Sequence, residues 1–222
     1  MAEHEAAAEK VVRVWDLPTR ITHWSIVLLA PVSWWTATHD QLRWHRLGGY
    51  VLLGLLTFRL IWGLVGSETA RFASFVRGPR AVLAYVAGRA RPAAGHNPLG
   101  ALSVAAMLLS LCLQVGLGLF AVDEDGLDPS PLAKFVSFET GRAVARLHHL
   151  NFYVILGLAG LHVAAIGGYA LRRRNLVGAM FTGRRRLPQS VEPPRFASPW
   201  IALAAAAVAA AVAWFLAHGA AF

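Results

Sequence analysis

Residues 147–171 read LHHLNFYVILGLAGLHVAAIGGYAL and contain no aspartate, glutamate, lysine or arginine. An α-helix rises about 1.5 Å per residue, so a stretch of this length crosses the roughly 30 Å hydrocarbon core of a bilayer. The stretch nevertheless holds three histidines, at positions 148, 149 and 162. Polar side chains inside a membrane are costly, so an intramembrane histidine is a candidate for function. We therefore predict a transmembrane helix that carries functional imidazoles.

Four further apolar stretches of similar length accompany this one, at residues 21–38, 47–65, 99–122 and 200–217. Hydrophobic residues make up 56% of the 222-residue chain and charged residues 15%, which is unusually apolar for a soluble domain. We predict an all-α integral membrane protein, a four-helix transmembrane bundle with an additional C-terminal transmembrane helix. The predicted regions are an N-terminal segment at 1–20, the four-helix domain at 21–186, and a linker with the fifth helix at 187–222.

The basic residues are divided unequally between the two sides of the predicted bundle. Fifteen of the 21 lysines and arginines lie in the N-terminal segment, in the loop after the second stretch and in the segment after the fourth. Because the side rich in these residues is usually cytoplasmic, we expect the N-terminus inside, the acidic loop at 123–139 outside, and the C-terminus outside after five spans. The net charge of +9 is explained by orientation in the membrane, and we expect no nucleic-acid partner.

Helix geometry separates the three histidines of residues 147–171. His148 and His162 are 14 residues apart, about 40° short of four full turns, so their rings project from one face roughly 21 Å apart. His149 points about 140° away from His162. Each ring on the shared face then needs a partner at its own depth. His23 opens the first stretch near the inner side, and His45 precedes the second stretch at the outer side.

Two pairs at matched depths follow, an inner pair of His23 and His162 and an outer pair of His45 and His148. Haem iron accepts two axial imidazoles, which facing helices of a bundle can supply. The single cysteine, Cys112, excludes a C-x-x-C-H attachment site, so we expect two haem b groups held non-covalently. Two alternatives stay open: individual histidines could form interhelical hydrogen bonds, or they could line a metal-ion site or transport path. The roughly 21 Å between the pairs argues against a single metal-ion site.

Further residues are candidates for supporting roles around the two pairs. Arg46 and Arg146 are candidates to bind outer haem propionates and Arg20 inner ones, although each also fits a charge that sets orientation. His96 and Asn97 precede the third stretch at the depth of the inner pair, where a quinone head group needs a hydrogen-bond partner for each carbonyl. Asn97 fits equally well as the N-cap of the third helix.

Other residues in the spans admit two interpretations. Arg59 lies within an apolar stretch, where it either snorkels to the surface or pairs with a carboxylate. Residues 71–85 are basic and fit a short amphipathic segment along the membrane surface. A group of glycines would either let a flat macrocycle approach the backbone or allow close helix packing; its members are Gly48, Gly49, Gly54, Gly116, Gly118, Gly157 and Gly160.

A series of short motifs runs along most of the chain: VWDLPTR at 14–20, HW at 23–24, FRLIWG at 58–63, FVRGP at 75–79, HNPLG at 96–100, LH at 147–148 and 161–162, NLVGAM at 175–180 and TG at 182–183. This series resembles the motifs of bacterial cytochrome b561 proteins and of the related b-type cytochrome subunits of nickel–iron hydrogenases. The resemblance covers residues 11–186. The fifth apolar stretch departs from the family pattern.

The resemblance implies a four-helix cytochrome with two b haems in the bacterial inner membrane. The distribution of basic residues and the fifth span together predict the N-terminus in the cytoplasm and the C-terminus in the periplasm. In that family the first and fourth spans ligate one haem, and the second and fourth the other. The matching positions here are His23 with His162 and His45 with His148. The implied activity is electron transfer between a quinone, ubiquinone or menaquinone, and a redox partner such as a c-type cytochrome, a hydrogenase or another dehydrogenase.

One alternative activity stays open, that of a stand-alone membrane oxidoreductase acting on a small species such as superoxide or ferric iron at an exposed haem edge. We assign no catalytic residue, and we expect the chain to act as an electron-transfer component. The chain is expected to contact membrane lipid, and a homodimer is compatible with the sequence.

Overall fold

The computed structural model describes residues 9–89, 94–122 and 130–218, and it is built almost entirely from helices. Residues 1–8, Arg91 and residues 123–129 of the predicted acidic loop lie outside the described residues. The helices are α1 (Leu17–Thr38), α2 (Leu42–Val65), α3 (Phe72–Phe75), α4 (Pro79–Val86), α5 (Pro98–Phe120), α6 (Phe138–Leu171), α7 (Leu176–Thr182) and α8 (Pro199–His218), with one 3-10 turn at Ala133–Phe135.

Four helices, α2, α5, α6 and α8, are long and apolar enough to cross a membrane. Helix α1 has 22 residues and therefore the required length, but it is less apolar than those four. Its start is well defined, because the Asp16 carboxylate accepts the Thr19 amide at 2.8 Å and Pro18 lies in the first turn, where no amide hydrogen is needed. The predicted all-α membrane bundle is confirmed.

The predicted start of the fourth helix was wrong. The apolar stretch begins at residue 147, but α6 begins at Phe138, with Ser137 as its N-cap. His148 and His149 therefore lie almost three turns inside the helix. Hydropathy marks where a chain enters hydrocarbon, whereas capping marks where a helix begins, and the first turns of α6 are helical but polar. Similarly, His45 lies inside α2 and not before it.

The helices pack as two hairpins. Helices α1 and α2 pack on each other, α5 and α6 form the most extensive helix contact, and α2 touches α5 more lightly. In the described part of the chain, α6 has at most sparse backbone contact with α1 and α2. Side chains bridge this space instead, as where Trp34 and Phe152 stack with ring centroids 6.1 Å apart. The face of α6 that carries His148 and His162 is thus separated from α1 and α2 by a gap.

A two-stranded antiparallel sheet joins the beginning of the bundle to its end. Strand β1 (Glu9–Arg13) pairs with β2 (Arg184–Pro188), from Glu9 opposite Pro188 to Arg13 opposite Arg184. Val12, Val14, Leu187 and Val191 form its buried cluster. Since four long helices lie between the strands, the pairing requires an even number of crossings between them. No pattern in the sequence predicted this sheet.

Helix α8 packs along α2. A Cβ atom on Gly54 of α2 would lie 3.5 Å from the Ala213 Cβ of α8, and Ala205 and Ala209 are buried. Small residues thus allow the two helices to approach closely. The segment before α8 is fixed to the loop after α2, where the Glu68 amide donates to the Arg195 carbonyl at 2.9 Å.

Candidate haem-binding sites

The outer pair of histidines forms a compact site between α2 and α6. The His45 and His148 ring centroids are 6.1 Å apart, with the ring planes at 86°. His45 Nδ1 lies 2.8 Å from the Ser33 carbonyl of α1, and His148 Nδ1 lies 2.9 Å from the Gln114 carbonyl of α5. A carbonyl oxygen can only accept, so each Nδ1 carries a hydrogen, and in the neutral form of such a ring Nε2 has the lone pair that a metal ion binds.

This geometry fits a haem held by two imidazoles. Two imidazoles on opposite sides of one metal ion, each bonded at about 2 Å, place their ring centroids roughly 6 Å apart. A metal-bound histidine usually donates its other ring N–H to a carbonyl or carboxylate, and both rings do so here. Among the described residues, no group of three or more His, Cys, Asp or Glu could hold a metal ion.

Two glycines create the space in which the outer rings lie. A Cβ atom on Gly118 of α5 would come within 3.1 Å of His148 Cε1. On α2, a Cβ atom on the buried Gly48 would come within 2.9 Å of Ser33 Oγ. Gly48 therefore lets α1 approach closely enough for its Ser33 carbonyl to reach His45. Of the other predicted glycines, Gly54 packs on α8, and a Cβ would meet open space at the remaining four, Gly49, Gly116, Gly157 and Gly160.

A buried polar network lies one turn beyond His148. Asn151 of α6 is 7% exposed, and its amide donates to the Ser110 carbonyl at 2.9 Å and to the Gln114 side chain at 2.8 Å. Its side-chain oxygen accepts the Ser110 hydroxyl at 3.0 Å. Gln114 therefore binds Asn151 through its side chain and His148 through its carbonyl. The sequence analysis missed this network; an asparagine one turn from a candidate ligand was the available signal.

The inner pair is organised differently. His23 and His162 lie within electrostatic range of each other. His23 Nδ1 is buried and has no hydrogen-bond partner among the described residues. The His23 ring packs edge-on against Trp24, with centroids 5.0 Å apart, and Trp24 stacks on Phe181 of α7. Aromatic contacts, and not a carbonyl, hold the His23 ring.

His96 lies within electrostatic range of both histidines of the inner pair. Its ring is between Trp15 and Phe75, with centroid separations of 4.7 and 4.8 Å, and its Nδ1 is buried without a partner among the described residues. Burial, followed by the charge of Arg59, lowers the pKa of His96 to about 3. The imidazole is therefore neutral at physiological pH.

Asn97 caps α5, as one of its two predicted roles required. Its side-chain oxygen accepts the Gly100 amide at 2.7 Å. Its Nδ2 donates to the Tyr169 hydroxyl of α6 at 2.7 Å, so one of its two amide hydrogens is already engaged. The part of Asn97 in quinone binding stays a prediction.

The three predicted propionate ligands have different environments. Arg20 donates from Nε to the Met180 carbonyl at 3.2 Å and from Nη2 to the Phe181 carbonyl, so it fastens α1 to the end of α7. Arg46 follows His45 on α2 and acts electrostatically on Tyr50. Arg146 is exposed on α6, two residues before His148. Their contact with propionates stays a prediction.

The Arg59 side chain turns inward to a buried cluster. Arg59 is 6% exposed and donates to the Ala70 carbonyl at 3.2 Å. It also lies within electrostatic range of Asp16, whose second carboxylate oxygen accepts the Trp62 indole N–H at 3.0 Å. Of the two interpretations of Arg59, interaction with a carboxylate is the one observed.

Comparison with known proteins identifies the family. The family described as prokaryotic cytochrome b561 matches residues 14–183, which extend from just before α1 through α7. Helix α8 lies outside the match. Neither the curated proteins nor the solved structures that were compared include a match to this chain. The chain belongs to the prokaryotic cytochrome b561 family and is a membrane b-type cytochrome of electron transfer that binds haem b.

Proposed function

We propose that the protein carries two b haems and transfers electrons between a quinone in the bilayer and a redox partner protein. The observation that supports this most directly is the outer pair: two imidazoles with ring centroids 6.1 Å apart, each with Nδ1 bound to a carbonyl and Nε2 without a hydrogen-bond partner among the described residues. The same helix, α6, carries His162 roughly 21 Å further along its axis, within electrostatic range of His23.

Haem b supplies one-electron redox chemistry, and the side chains of this protein determine its position and potential. His45 and His148 would hold one haem, and His23 and His162 the other. Hydrogen bonds from Nδ1 to a carbonyl make an imidazole a stronger ligand and so favour the oxidised metal. Only the outer pair has such bonds among the described residues. We therefore assign the lower reduction potential to the outer site.

The quinone, ubiquinone or menaquinone, is proposed to bind beside the inner pair at His96 and Asn97. His96 is neutral and its Nδ1 has no partner among the described residues, so it is able to accept or donate a hydrogen bond. Asn97 keeps one amide hydrogen beyond the bond to Tyr169.

The experiment is the anaerobic reduction of the oxidised protein by ubiquinol and by menaquinol, followed in the haem absorption bands. We expect reduction by at least one quinol, slowed about tenfold or more in His96→Ala. Asn97→Asp is the sharper variant at the second position, because aspartate preserves the helix cap but removes the amide donor. Wild-type rates in both variants, with unchanged dithionite-reduced spectra, would place the quinone elsewhere. No reduction by either quinol would refute quinone exchange.

We also propose the predicted orientation, with the N-terminus in the cytoplasm and the C-terminus in the periplasm of a bacterial inner membrane. Fifteen of 21 basic residues on one side support it, as does the β1–β2 pairing, which brings two basic segments to the same side. Protease accessibility of tags at the two termini in spheroplasts tests it. A protected C-terminal tag would contradict the proposal.

A further inference from the structure

A cluster of phenol and guanidinium groups lies at the end of α6 on the basic side. The hydroxyls of Tyr85 on α4 and Tyr169 on α6 are 2.6 Å apart, and Tyr169 also accepts the Asn97 amide. We call these two tyrosines, with Arg172, Arg174 and Arg185, the Tyr85–Arg185 cluster. No member is a candidate haem ligand, and the nearest candidate along α6, His162, is two turns away from Tyr169.

The backbone holds the arginines of the cluster close to the tyrosines. The amides of Arg172 and Arg174 both donate to the Tyr169 carbonyl, at 3.1 and 2.9 Å, where α6 ends. Both of these charges act on Tyr85. Arg185 of β2 lies within electrostatic range of Arg174 and of both tyrosines. The Tyr85–Arg185 cluster therefore draws its residues from three elements: the end of α6, α4 and β2.

The charges of this cluster are not balanced within the described part of the chain. No carboxylate acts electrostatically on Tyr85 or Arg185 among the described residues. Burial and the neighbouring Arg174 lower the pKa of Arg185. Burial and the hydrogen bond to Tyr169 raise the pKa of Tyr85, so that its hydroxyl stays a neutral donor. Positive charges and hydroxyl donors thus lie together with no carboxylate acting on them. Binding of an anion would stabilise this arrangement.

We propose that the Tyr85–Arg185 cluster binds the phosphate of an anionic phospholipid head group. The neighbouring helix α4 favours lipid over a soluble anion. It has no buried residue and exposes Leu83 and Val86 on the apolar side. Arg80 lies in its first turn, and Arg89 follows its end. A short helix with apolar and basic faces beside the end of a span lies at the level of the head groups. Basic pockets between helices on the cytoplasmic side favour anionic lipids.

The test uses the full haem-loaded protein in uncharged detergent, with thermal unfolding measured as phosphatidylglycerol or phosphatidylcholine is added to the micelles. Arg174→Gln/Arg185→Gln removes two charges of the cluster. Arg173→Gln/Arg186→Gln is the matched control, because these neighbouring arginines are exposed and are not among the charges that act on the pKa of Tyr85. We expect phosphatidylglycerol, but not phosphatidylcholine, to raise the unfolding temperature of the wild type and the control. The cluster variant should need at least fivefold more lipid for half of that effect.

Three results would overturn the proposal. An equally weakened response to phosphatidylglycerol in the control and cluster variants would mean that the response depends only on the net charge of the protein. The same stabilisation by inorganic phosphate would identify a soluble anion as the ligand, and loss of a haem band in the cluster variant would identify a haem carboxylate. If the double variant does not fold, Tyr85→Phe replaces it, since it removes one hydroxyl and no charge. A wild-type lipid response in Tyr85→Phe would then contradict the proposed site.

Discussion

His45 and His148 face each other across the bundle at 6.1 Å, and neither ring is oriented by the helix that carries it. The carbonyl that fixes His45 belongs to Ser33 of α1, and the carbonyl that fixes His148 belongs to Gln114 of α5. The geometry of the outer site therefore depends on contacts within each hairpin. Substitutions at the hairpin interfaces should change the site without touching an imidazole.

The cofactor content is the first prediction. We expect two b haems per chain by the pyridine haemochrome assay, both low-spin because both axial positions are filled by histidine. The 86° between the His45 and His148 planes predicts a strongly anisotropic low-spin electron paramagnetic resonance signal from the outer haem. A stoichiometry of one haem or none would contradict the two-pair arrangement.

The phase of α6 gives the second prediction. His148→Ala and His45→Ala should each remove the outer haem and leave the inner one, which halves the haem content. His149→Ala is the matched control, because His149 is exposed on another face of the same helix, and it should retain both haems. Loss of a haem in His149→Ala but not in His148→Ala would refute the assignment.

Gly118 gives the third prediction, because a Cβ there would lie 3.1 Å from the His148 ring. Gly118→Ala should be tolerated with a small shift in the outer haem spectrum, whereas Gly118→Val should abolish binding of the outer haem by displacing the ring. Gly167→Val is the control, since no atom lies within 4 Å of a Cβ at that position of α6. Equal haem loss in the two valine variants would show that the helix propensity of valine, and not the contact with His148, causes the loss.

The Asn151 network gives the fourth prediction. Asn151→Leu removes three interhelical hydrogen bonds, each worth about 0.6 kcal/mol within a membrane, so destabilisation of about 2 kcal/mol is expected. Thermal unfolding measures this cost. Spectroelectrochemical titration should also show that the reduction potential of the outer haem shifts while that of the inner haem does not, because Gln114 contacts both Asn151 and His148.

Ser110→Ala is the graded comparison for Asn151, since it removes only the hydroxyl bond and should have about a third of the effect on stability. A purely structural role would predict loss of stability with no change in potential. That outcome would contradict the coupling through Gln114.

The buried Asp16 gives the fifth prediction. Asparagine at this position keeps one side-chain oxygen and can cap α1, but it cannot also accept the Trp62 indole N–H. Asp16→Asn should cost about 1–2 kcal/mol in the free energy of unfolding. In a Trp62→Phe background the same change should cost measurably less, because the indole bond is already absent. Strictly additive costs in the double-mutant cycle would show that the bond does not contribute.

The parts of this arrangement that depend on local periodicity could be predicted from the sequence. The spacing of His148 and His162 is informative because α6 is one uninterrupted helix, and the cap at Asn97 follows from residue type and the adjacent proline. The carbonyls of Ser33 and Gln114 could not be predicted, because every residue has a carbonyl and only tertiary packing selects one.

The β1–β2 sheet was missed for a related reason. Its strands are five residues long and more than 170 residues apart, and the arginines at 184–186 were interpreted as loop charges that set orientation. Arg59 was recognised as unusual, but its partner Asp16 lies outside the apolar stretch that contains it. Pairings of this kind are set by the fold and leave no periodic pattern.

The β1–β2 sheet also has a consequence for biogenesis. Strand β2 follows α6 in the chain, so a ribosome must synthesise both hairpins before β1 can find its partner. Each hairpin has its own extensive interface and can insert into the bilayer separately, whereas the ribbon forms only when all four helices are present. Its closure therefore marks the point at which the two hairpins have come together.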